Sequence, residues 1–516
     1  MIRQDKAESN KKNYILYLFI LITISVSIRL YFLPFEIPFK TDAIDYFSFA
    51  FEISKTQKFP TGILGTNDGW PLFLSPIFSV IGQSDMMTLI NAQRVTSIVI
   101  SSLTIIPVFF LCKKFVSPNF ALIGACLFVF SHRIMENSIL GITESLFIFL
   151  TTFFLLFSLT KNSKVYVLSF VCLALSSIVR YESLLFLVPI SIIFFLKFHK
   201  KKSDYLKFPL FILLFVLILI PIATIRMDNN NMDGLTSHVF GGIMNPAKYS
   251  SISENETGTS IQSENNFIIN SFFHALKFLG LVSIPLFIFF IPSGFYNLVK
   301  TRNSNLFYLL ILGVFMILPA MYAYGREIQE TRYLYVLFPI FCVISVYGLN
   351  IFKKIDKTKY VFSILVIIIL SSIFLLDYTQ TDQTFNYEIL QVSKFIVEDV
   401  DGVNDYPGSS YVKIATLEQN WPNSLPIDER DKVSFYIKKF PARDYSSLET
   451  FLLDNKDSGL THIVLSEQNH STFLDELVIN YESYSYLEKV FDSKDYKFEN
   501  NMIVLKINYS SFEKME

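Results

Sequence analysis

Long apolar runs recur from Tyr14 to Asp377, and they constrain the fold more than any other feature of the chain. A helix of about 20 mostly apolar residues crosses the roughly 30 Å of bilayer hydrocarbon. Helix is required there because lipid offers no partner to backbone N–H and C=O groups. Eleven stretches have this character: 14–34, 87–112, 118–132, 143–160, 164–179, 183–198, 206–226, 275–298, 305–323, 333–352 and 360–377. We therefore predict a multi-pass α-helical membrane protein with eleven spans, plus or minus two, because residues 71–82 also fit a half-embedded segment.

Charge is scarce in this chain and unevenly placed. Charged residues make up 17% of the 516 residues and hydrophobic ones 52%, and 44 Lys and Arg balance 45 Asp and Glu. That balance leaves no basic excess for binding nucleic acid. The loops on one side of the predicted spans carry nineteen Lys and Arg, whereas the other loops carry nine. The positive-inside rule then places residues 1–13 in the cytoplasm, and it places loops 35–86 and 227–274 and the region after 377 outside.

Cysteine and histidine give no sign of a metal site. The four cysteines all fall within predicted spans and lack Cys-x-x-Cys spacing: Cys112, Cys126, Cys172 and Cys342. We interpret them as small apolar side chains. His132 and His238 could approach a site on the outer side, although a structural or solvent-facing role explains them better. A phosphate-binding Gly-Lys-Ser/Thr loop, a dinucleotide glycine motif and a serine nucleophile elbow are absent, which argues against an ATP-driven pump.

An acidic pattern opens the first outer loop. In a helix, Asp42, Asp45 and Tyr46 would share one face, because they are spaced i, i+3 and i+4. The apolar stripe beside them comprises Ala43, Phe47, Ala50 and Phe51. Such an amphipathic helix is typical of the membrane surface, where it would hold two carboxylates just above the outer leaflet. The alternative interpretation is a helix cap with an ordinary solvated face.

Further ionisable residues gather at the outer ends of the predicted spans. They are Arg94, Glu136, Glu144 after Thr143, Arg180 and Glu182 around Tyr181, and Arg326, Glu327, Glu330 and Arg332 before Tyr333. Ionisable residues at membrane depth are costly and point to function, although Arg180 with Glu182, or Glu330 with Arg332, could simply pair with each other. Together they indicate a site for a phosphate headgroup, because a planar guanidinium donates two parallel hydrogen bonds to phosphate oxygens.

In this order, the motifs resemble those of the GT-C fold membrane glycosyltransferases. That group contains protein O-mannosyltransferases, lipid A aminoarabinose transferases and Rgt-like enzymes. The resemblance covers residues 14–377, and its most specific elements are Asp42-Ala43-Ile44-Asp45-Tyr46 and Arg332-Tyr333-Leu334 before Pro339. Weaker matches lie between them: Trp70-Pro71 to Pro76, Arg94 with Ser97, Lys113-Lys114, Thr143-Glu144 and Arg180-Tyr181-Glu182. The Trp-Trp-Asp-Tyr-Gly motif of oligosaccharyltransferases is absent, which disfavours that branch.

The resemblance implies inverting transfer of a hexose- or mannose-like sugar from a polyprenyl-phosphate donor to a protein, lipid or glycan acceptor. It implies Asp42 as the general base. Asp45 could share or replace that role, because many members have adjacent acidic residues where this chain has Asp42-Ala43. The implied phosphate-binding residues are Arg94, Arg180 and Arg332, and the implied substrate-orienting residues are Tyr46, Glu144, Glu182 and Tyr333. No cofactor is required, although some relatives bind a divalent metal ion.

Residues 378–516 have the pattern of a small α/β domain outside the membrane. The pattern predicts helices near 387–399, 446–456 and 471–482 and strands at 461–466 and 502–507, with apolar runs at 412–416 and 433–440, in a mainly parallel sheet. The region carries no catalytic motif. A structural cap is slightly favoured over acceptor recognition or a lid.

Two other functions stay open at this point: a secondary transporter or lipid flippase without glycosyl transfer, and a non-catalytic scaffold. A transporter would show two related halves with Gly- or Pro-broken helices and charges at mid-bilayer. The sequence has no such repeat, and its charges lie at the predicted outer face instead.

Overall fold

The structure, a computed structural model, describes residues 2–514 apart from several internal stretches. Those stretches are 40–41, 61–66, 83, 199–204, 231–232, 238–263, 286, 289, 301–302, 327, 350–357, 380–382, 407, 409–410, 420, 422–436 and 467–471. The chain divides into two compact units. The first comprises Met1–Leu33, Leu64–Ile77 and Gln93–Thr379. The second comprises Pro34–Ile63, Phe78–Ala92 and Gln380–Glu516.

Helices dominate the chain up to residue 379. In chain order they are α1 (Ile2–Tyr31), α2 (Asp42–Thr56), α3 (Gly69–Ile81), α4 (Met86–Leu103), α5 (Ile105–Lys113), α6 (Pro118–Val129), α7 (His132–Ile139), α8 (Glu144–Ser158), α9 (Ser163–Val179), α10 (Leu187–Phe198), α11 (Lys207–Asn230), α12 (Glu264–Ser283), α13 (Ile291–Lys300), α14 (Ser304–Gly325), α15 (Phe338–Leu349) and α16 (Thr358–Thr379). Short 3-10 helices at Tyr181–Phe186 and Thr331–Leu337 lead into α10 and α15. Helix α2 belongs to the second unit, and α3 and α4 contribute residues to both.

Every one of the eleven predicted stretches contains helix, but fewer than eleven helices in the described part of the chain are long and apolar enough to cross a membrane. Six helices in the described part of the chain are long and apolar enough to cross a membrane. Two further pairs of consecutive helices are each bent at a short break, and the number rises to eight if each of these pairs forms one span. The prediction of one continuous helix over 275–298 was wrong, because α12 ends at Ser283 and α13 begins at Ile291. Pro285 lies in that break, and proline has no N–H to continue a helix. The chain is a mostly helical membrane protein, and the count of eleven stays a prediction.

Polar and aromatic contacts hold the helices of the first unit together. The guanidinium of Arg29 in α1 is fully buried and donates to hydroxyls of Ser25, Ser102 and Ser138 and to the carbonyl of Val129. These bonds join α1 to α4, α6 and α7. They also offset the cost of burying the charge of Arg29, because its donors have hydrogen-bond partners. Aromatic rings of α9, α10 and α11 pack with centroids 5.2–6.2 Å apart; they include Tyr166, Phe170, Phe194, Phe198, Phe208 and Phe211.

The second unit contains a five-stranded sheet flanked by helices. Its elements are α17 (Gln383–Asp399), β1 (Gly402–Asn404), α18 (Tyr411–Gln419), β2 (Lys438–Phe440), α19 (Leu448–Lys456), β3 (His462–Leu465), α20 (Thr472–Asn480), β4 (Leu487–Asp492), β5 (Ile503–Ile507) and α21 (Tyr509–Phe512). The strand order is β2-β1-β3-β5-β4. Strand β1 pairs in parallel with β2 and β3, whereas β5 pairs antiparallel with β3 and β4. The sheet is therefore mixed, and the prediction of a mainly parallel sheet was wrong.

Other predictions for the C-terminal region had mixed outcomes. The apolar run at 412–416 lies in α18, where Val412, Ile414 and Ala415 are buried. Strands β1 and β4 were not predicted. Of the apolar run at 433–440, Lys438–Phe440 forms β2, and residues 433–436 lie outside the described chain. Helices α17, α19 and α20 and strands β3 and β5 lie where the pattern predicts them.

Helix α2 forms at the predicted acidic segment, but its apolar stripe does not face lipid. Ala43, Phe47, Ala50 and Phe51 are all buried within protein. The ring of Phe47 contacts Phe78, with centroids 5.6 Å apart. The prediction that this stripe lies on the membrane surface was therefore wrong, because residues of the same unit cover it.

Candidate active site

The predicted site residues fall into separate groups within the two units. Glu144, Arg180, Glu182, Arg332 and Tyr333 line one cavity in the first unit. Arg94, on α4 in the same unit, is buried but does not line that cavity. Asp42, Asp45 and Tyr46 lie on α2 in the second unit. Thus the structure brings together five of the nine predicted side chains.

Arg180 is the centre of the cavity cluster. It follows α9 in extended backbone, so its side chain lies at the helix end rather than within the span. Its Nη1 donates to Glu144 Oε1 at 2.8 Å, and its Nη2 donates to Glu182 Oε1 at 2.9 Å. The guanidinium also lies over the rings of Phe147 and Tyr333, 5.6 and 5.4 Å from their centroids. Such buried pairing offsets the cost of removing the charge from water.

Arg332 completes the cluster from the 3-10 helix that leads into α15. Its Nε is 4.0 Å from Glu144 Oε1 and also pairs with Glu330. Its guanidinium carbon lies 5.9 Å from the centroid of Tyr333. Because Glu330 is half exposed, Arg332 can exchange the carboxylate of Glu330 for another anion at low cost. Arg180, in contrast, is held in place by its buried carboxylate partners.

The carboxylates of the cluster outnumber its guanidinium groups. Glu144, Glu182 and Glu330 face Arg180 and Arg332. The second oxygen of Glu182 is buried and has no hydrogen-bond partner among the residues that the structure describes. Since a buried acceptor without a partner costs free energy, Glu182 is suited to accept a hydrogen bond from a bound hydroxyl.

Two buried side chains fix the turn that precedes Glu144. Trp70 Nε1 and Gln93 Nε2 each donate to the carbonyl oxygen of Gly141, both at 2.8 Å. Gly141 has φ +73°, a conformation that glycine adopts without strain. Immediately after this turn, Ser145 exchanges a hydrogen bond with Ser97 of α4 at 2.8 Å. The start of α8, and with it Glu144, is thereby attached to α3 and α4.

The N-terminus of α3 also meets the backbone just before Arg180. A Cβ atom at Gly69 would lie 2.7 Å from the backbone of Val179, so only glycine allows this close approach. Asp68, immediately before it, forms a buried pair with Arg226 near the end of α11. The sequence analysis did not predict that Asp68 and Arg226 pair with each other. The scarcity of charged residues in this apolar chain would have marked both as candidates for an ion pair.

The two acidic residues at the start of α2 differ in how far they are exposed. Asp42 is partly buried at the first position of the helix, whereas Asp45 is exposed and pairs with Lys413 of α18. Lys413 belongs to no recognisable motif, so the sequence did not indicate it as a partner of Asp45. The two carboxylates thus differ in exposure, and which of them acts as the base stays a prediction.

Of the two histidine candidates, the structure describes only His132. His132 begins α7, and its buried Nδ1 has no hydrogen-bond partner among the described residues. It does not line the cavity around Arg180, and the predicted candidates His238 and Glu327 lie outside the described residues. Over the ranges given above, no group of three or more His, Cys, Asp or Glu could hold a metal ion.

Comparison with known proteins identifies the fold. Residues 72–226 match the family described as dolichyl-phosphate-mannose-protein mannosyltransferase. ArnT from Cupriavidus metallidurans bound to undecaprenyl phosphate is 7% identical with a TM-score of 0.58, covering 95% of this chain and 98% of ArnT. The Archaeoglobus fulgidus oligosaccharyltransferase is 14% identical with a TM-score of 0.57, covering 90% of this chain and 69% of that protein. The archaeal oligosaccharyltransferase AglB from Archaeoglobus fulgidus, in complex with an inhibitory peptide and a dolichol-phosphate, is 12% identical with a TM-score of 0.53, covering 88% of this chain and 69% of AglB.

The curated proteins include no sequence match to this chain. The partial family match and the similarity in structure nevertheless agree with each other and with the apolar helices. They identify the chain as a membrane protein with the GT-C glycosyltransferase fold.

Proposed function

We propose that this protein transfers a sugar from a polyprenyl-phosphate donor to an acceptor at the outer face of the membrane, with inversion at the anomeric carbon. The observation that carries the proposal is the buried cluster of Arg180, Arg332, Glu144 and Glu182 at helix ends of a GT-C fold. Two proteins of similar fold were solved with lipid phosphates, ArnT with undecaprenyl phosphate and AglB with a dolichol-phosphate. A hexose- or mannose-like sugar fits the matched family description.

The chemistry requires a base and a counter-charge for the leaving group. The acceptor hydroxyl oxygen attacks the anomeric carbon while its proton moves to the Asp42 carboxylate. The bond between the anomeric carbon and the phosphate oxygen breaks, and its electron pair leaves with the lipid phosphate. A positioned carboxylate base contributes typically 10²–10⁴-fold to such a step. Asp45 remains the alternative base, and Tyr46 would orient the substrate beside either carboxylate.

The arginines stabilise the phosphate as its negative charge grows. Arg332 is the first candidate, because its half-exposed partner Glu330 can be exchanged for phosphate oxygens. Arg180 holds Glu144 and Glu182 in place and would add a second positive charge, with Arg94 as a further candidate. Glu182 and Tyr333 would contact the sugar. No metal or organic cofactor is needed, since the lipid phosphate is itself the leaving group.

The proposed orientation follows from the distribution of Lys and Arg. The N-terminus would be cytoplasmic, and the acidic helix, the helix ends of the cluster and the region after residue 377 would face outward. An acceptor protein, lipid or glycan would then meet the lipid-linked donor on the outer side.

A transfer assay with radiolabelled donor tests the proposal. The full chain is reconstituted with polyprenyl-phosphate mannose and membranes of the expressing cell, and labelled product is measured together with released polyprenyl phosphate. We expect both to appear together, D42N to abolish both, and R332Q to lower both at least tenfold. Movement of labelled donor across the bilayer without release of polyprenyl phosphate would instead support a flippase. Equal transfer by D42N and the wild type would remove Asp42 as the base.

A further inference from the structure

We propose that Lys413 is a positioning residue, which pairs with Asp45 and holds α2 so that Asp42 acts as the base. This inference rests on the proposed glycosyl transfer. It assigns a role to the C-terminal region, which contributes Lys413 from α18. It also makes Asp45 an anchor for α2 instead of a second base.

The ion pair itself is the first observation. Lys413 Nζ contacts Asp45 Oδ1, although the two residues are 368 positions apart in the chain. The side chain of Asp45 is 55% exposed and that of Lys413 is 30% exposed. Asp45 therefore has a cation as its charge partner.

An aromatic contact gives α2 a second attachment. The ring of Trp421 lies 4.2 Å from the centroid of Phe51 and 6.1 Å from that of Phe47. Trp421 Nε1 also donates to the carbonyl oxygen of Ser84 at 3.1 Å. Trp421, which follows α18, thus contacts the apolar stripe of α2 and the backbone just before α4.

The two attachments lie on nearly opposite sides of α2. Successive residues of a helix are turned by about 100°, so Asp45 lies roughly 140° around the axis from the midpoint of Phe47 and Phe51. Contacts on both sides fix the rotation of the helix about its own axis. Asp42 lies three residues before Asp45, and its direction is set by that rotation. A displacement of about 1 Å at a reacting group can cost about 10²-fold in rate.

This arrangement predicts an effect on catalysis without a matching effect on folding. Exposed ion pairs contribute little to global stability. Loss of Lys413 should therefore leave the chain folded while α2 gains rotational freedom. The ion pair between Lys394 and Glu418, also exposed and also made to α18, is a matched control that does not involve α2.

The test measures kcat and KM for label transfer from polyprenyl-phosphate mannose by the full chain. We expect K413M and D45N each to lower kcat about tenfold with little change in KM, and K413R to restore most of the rate. The charge-exchanged double variant D45K/K413D should recover much of the loss, because it restores the pair in the opposite sense. K394M should have no effect.

Separate outcomes distinguish this inference from the proposed function. If D42N abolishes transfer while K413M and K394M both equal the wild type, the positioning role is overturned and the proposed function stands. If D45K/K413D is as inactive as D42N while K413M is fully active, Asp45 is the base and the inference is again overturned. If the wild type transfers no label, both fall together.

Discussion

Arg180 and Glu144 lie 36 positions apart in the chain and form a buried ion pair, with 2.8 Å between Nη1 and Oε1. The same guanidinium donates to Glu182 and lies over the rings of Phe147 and Tyr333. Because Arg180 directly follows α9 and Glu144 begins α8, this pair sets how the ends of two neighbouring helices meet. The cluster is thus at once a structural element and the centre of the candidate site.

Removing the charge of Glu144 should be costly for this reason. We expect E144Q to destabilise the chain by about 3–5 kcal/mol, since it takes from a buried guanidinium its best-shielded carboxylate. Transfer should also fall, because Arg180 and Arg332 would both lose a partner. E330Q is the control, since Glu330 is half exposed and such pairs contribute about 0–1 kcal/mol. Thermal unfolding in detergent and the transfer assay measure both effects, and equal stability of E144Q and the wild type would contradict the assigned role.

The helices of the first unit could be predicted because lipid leaves the backbone no alternative to helix. The break between α12 and α13 could not, since a short apolar run such as Ile284 to Phe290 gives no periodic signal, even with Pro285 inside it. The helix over 412–416 could not be predicted for a related reason. Val412 and Ile414 favour strands, but the burial of Tyr411, Val412, Ile414 and Ala415 along one side of α18 overrides that preference.

Part of the candidate site could also be predicted from the sequence. Charged residues are so scarce near the spans that Glu144, Arg180, Glu182 and Arg332 were evident as candidates, and the structure places them around one cavity. The pairing of Asp68 with Arg226 and that of Asp45 with Lys413 could not be predicted. These partners are 158 and 368 positions apart, and tertiary packing alone decides which charges meet.

Gly69 gives a steric test of how Arg180 is positioned. G69A would force a Cβ atom to within 2.7 Å of the Val179 backbone, which cannot rotate away as a side chain can. Overpacking of this kind typically costs about 1–3 kcal/mol, and we expect transfer to fall because Arg180 comes next in the chain. The matched control is G280A in α12, where a Cβ atom would meet open space and Ala favours helix. Thermal unfolding should separate the two variants, and identical unfolding temperatures would exclude the close contact.

His462 makes the stability of the second unit depend on pH. Burial lowers the pKa of its imidazole, the positive charge of Lys506 lowers it further, and Asp401 and Asp399 act in the opposite sense. The neutral form of His462 is therefore favoured in the folded chain. Its contribution to the free energy of unfolding is present above the unfolded pKa of about 6.5 and is lost as the pH falls below that value. We expect the unfolding temperature to fall between pH 7.5 and 5.5, and H462Q to reduce that decrease. The same pH dependence in H462Q and the wild type would show that other groups are responsible.

The carbonyl of Gly141 provides the sharpest test of how Glu144 is held. Trp70 and Gln93 both donate to it, so either alone can keep the turn in place. We expect W70F and Q93L to cost about 0.5–1.5 kcal/mol each for the lost hydrogen bond, with a further packing loss at Trp70. The double variant should cost more than the sum, because it leaves a buried carbonyl without either donor. Thermal unfolding of the four proteins measures this coupling, and kcat for transfer should follow it since the turn leads directly to Glu144. Strictly additive losses would mean that the two side chains act independently and do not share the turn.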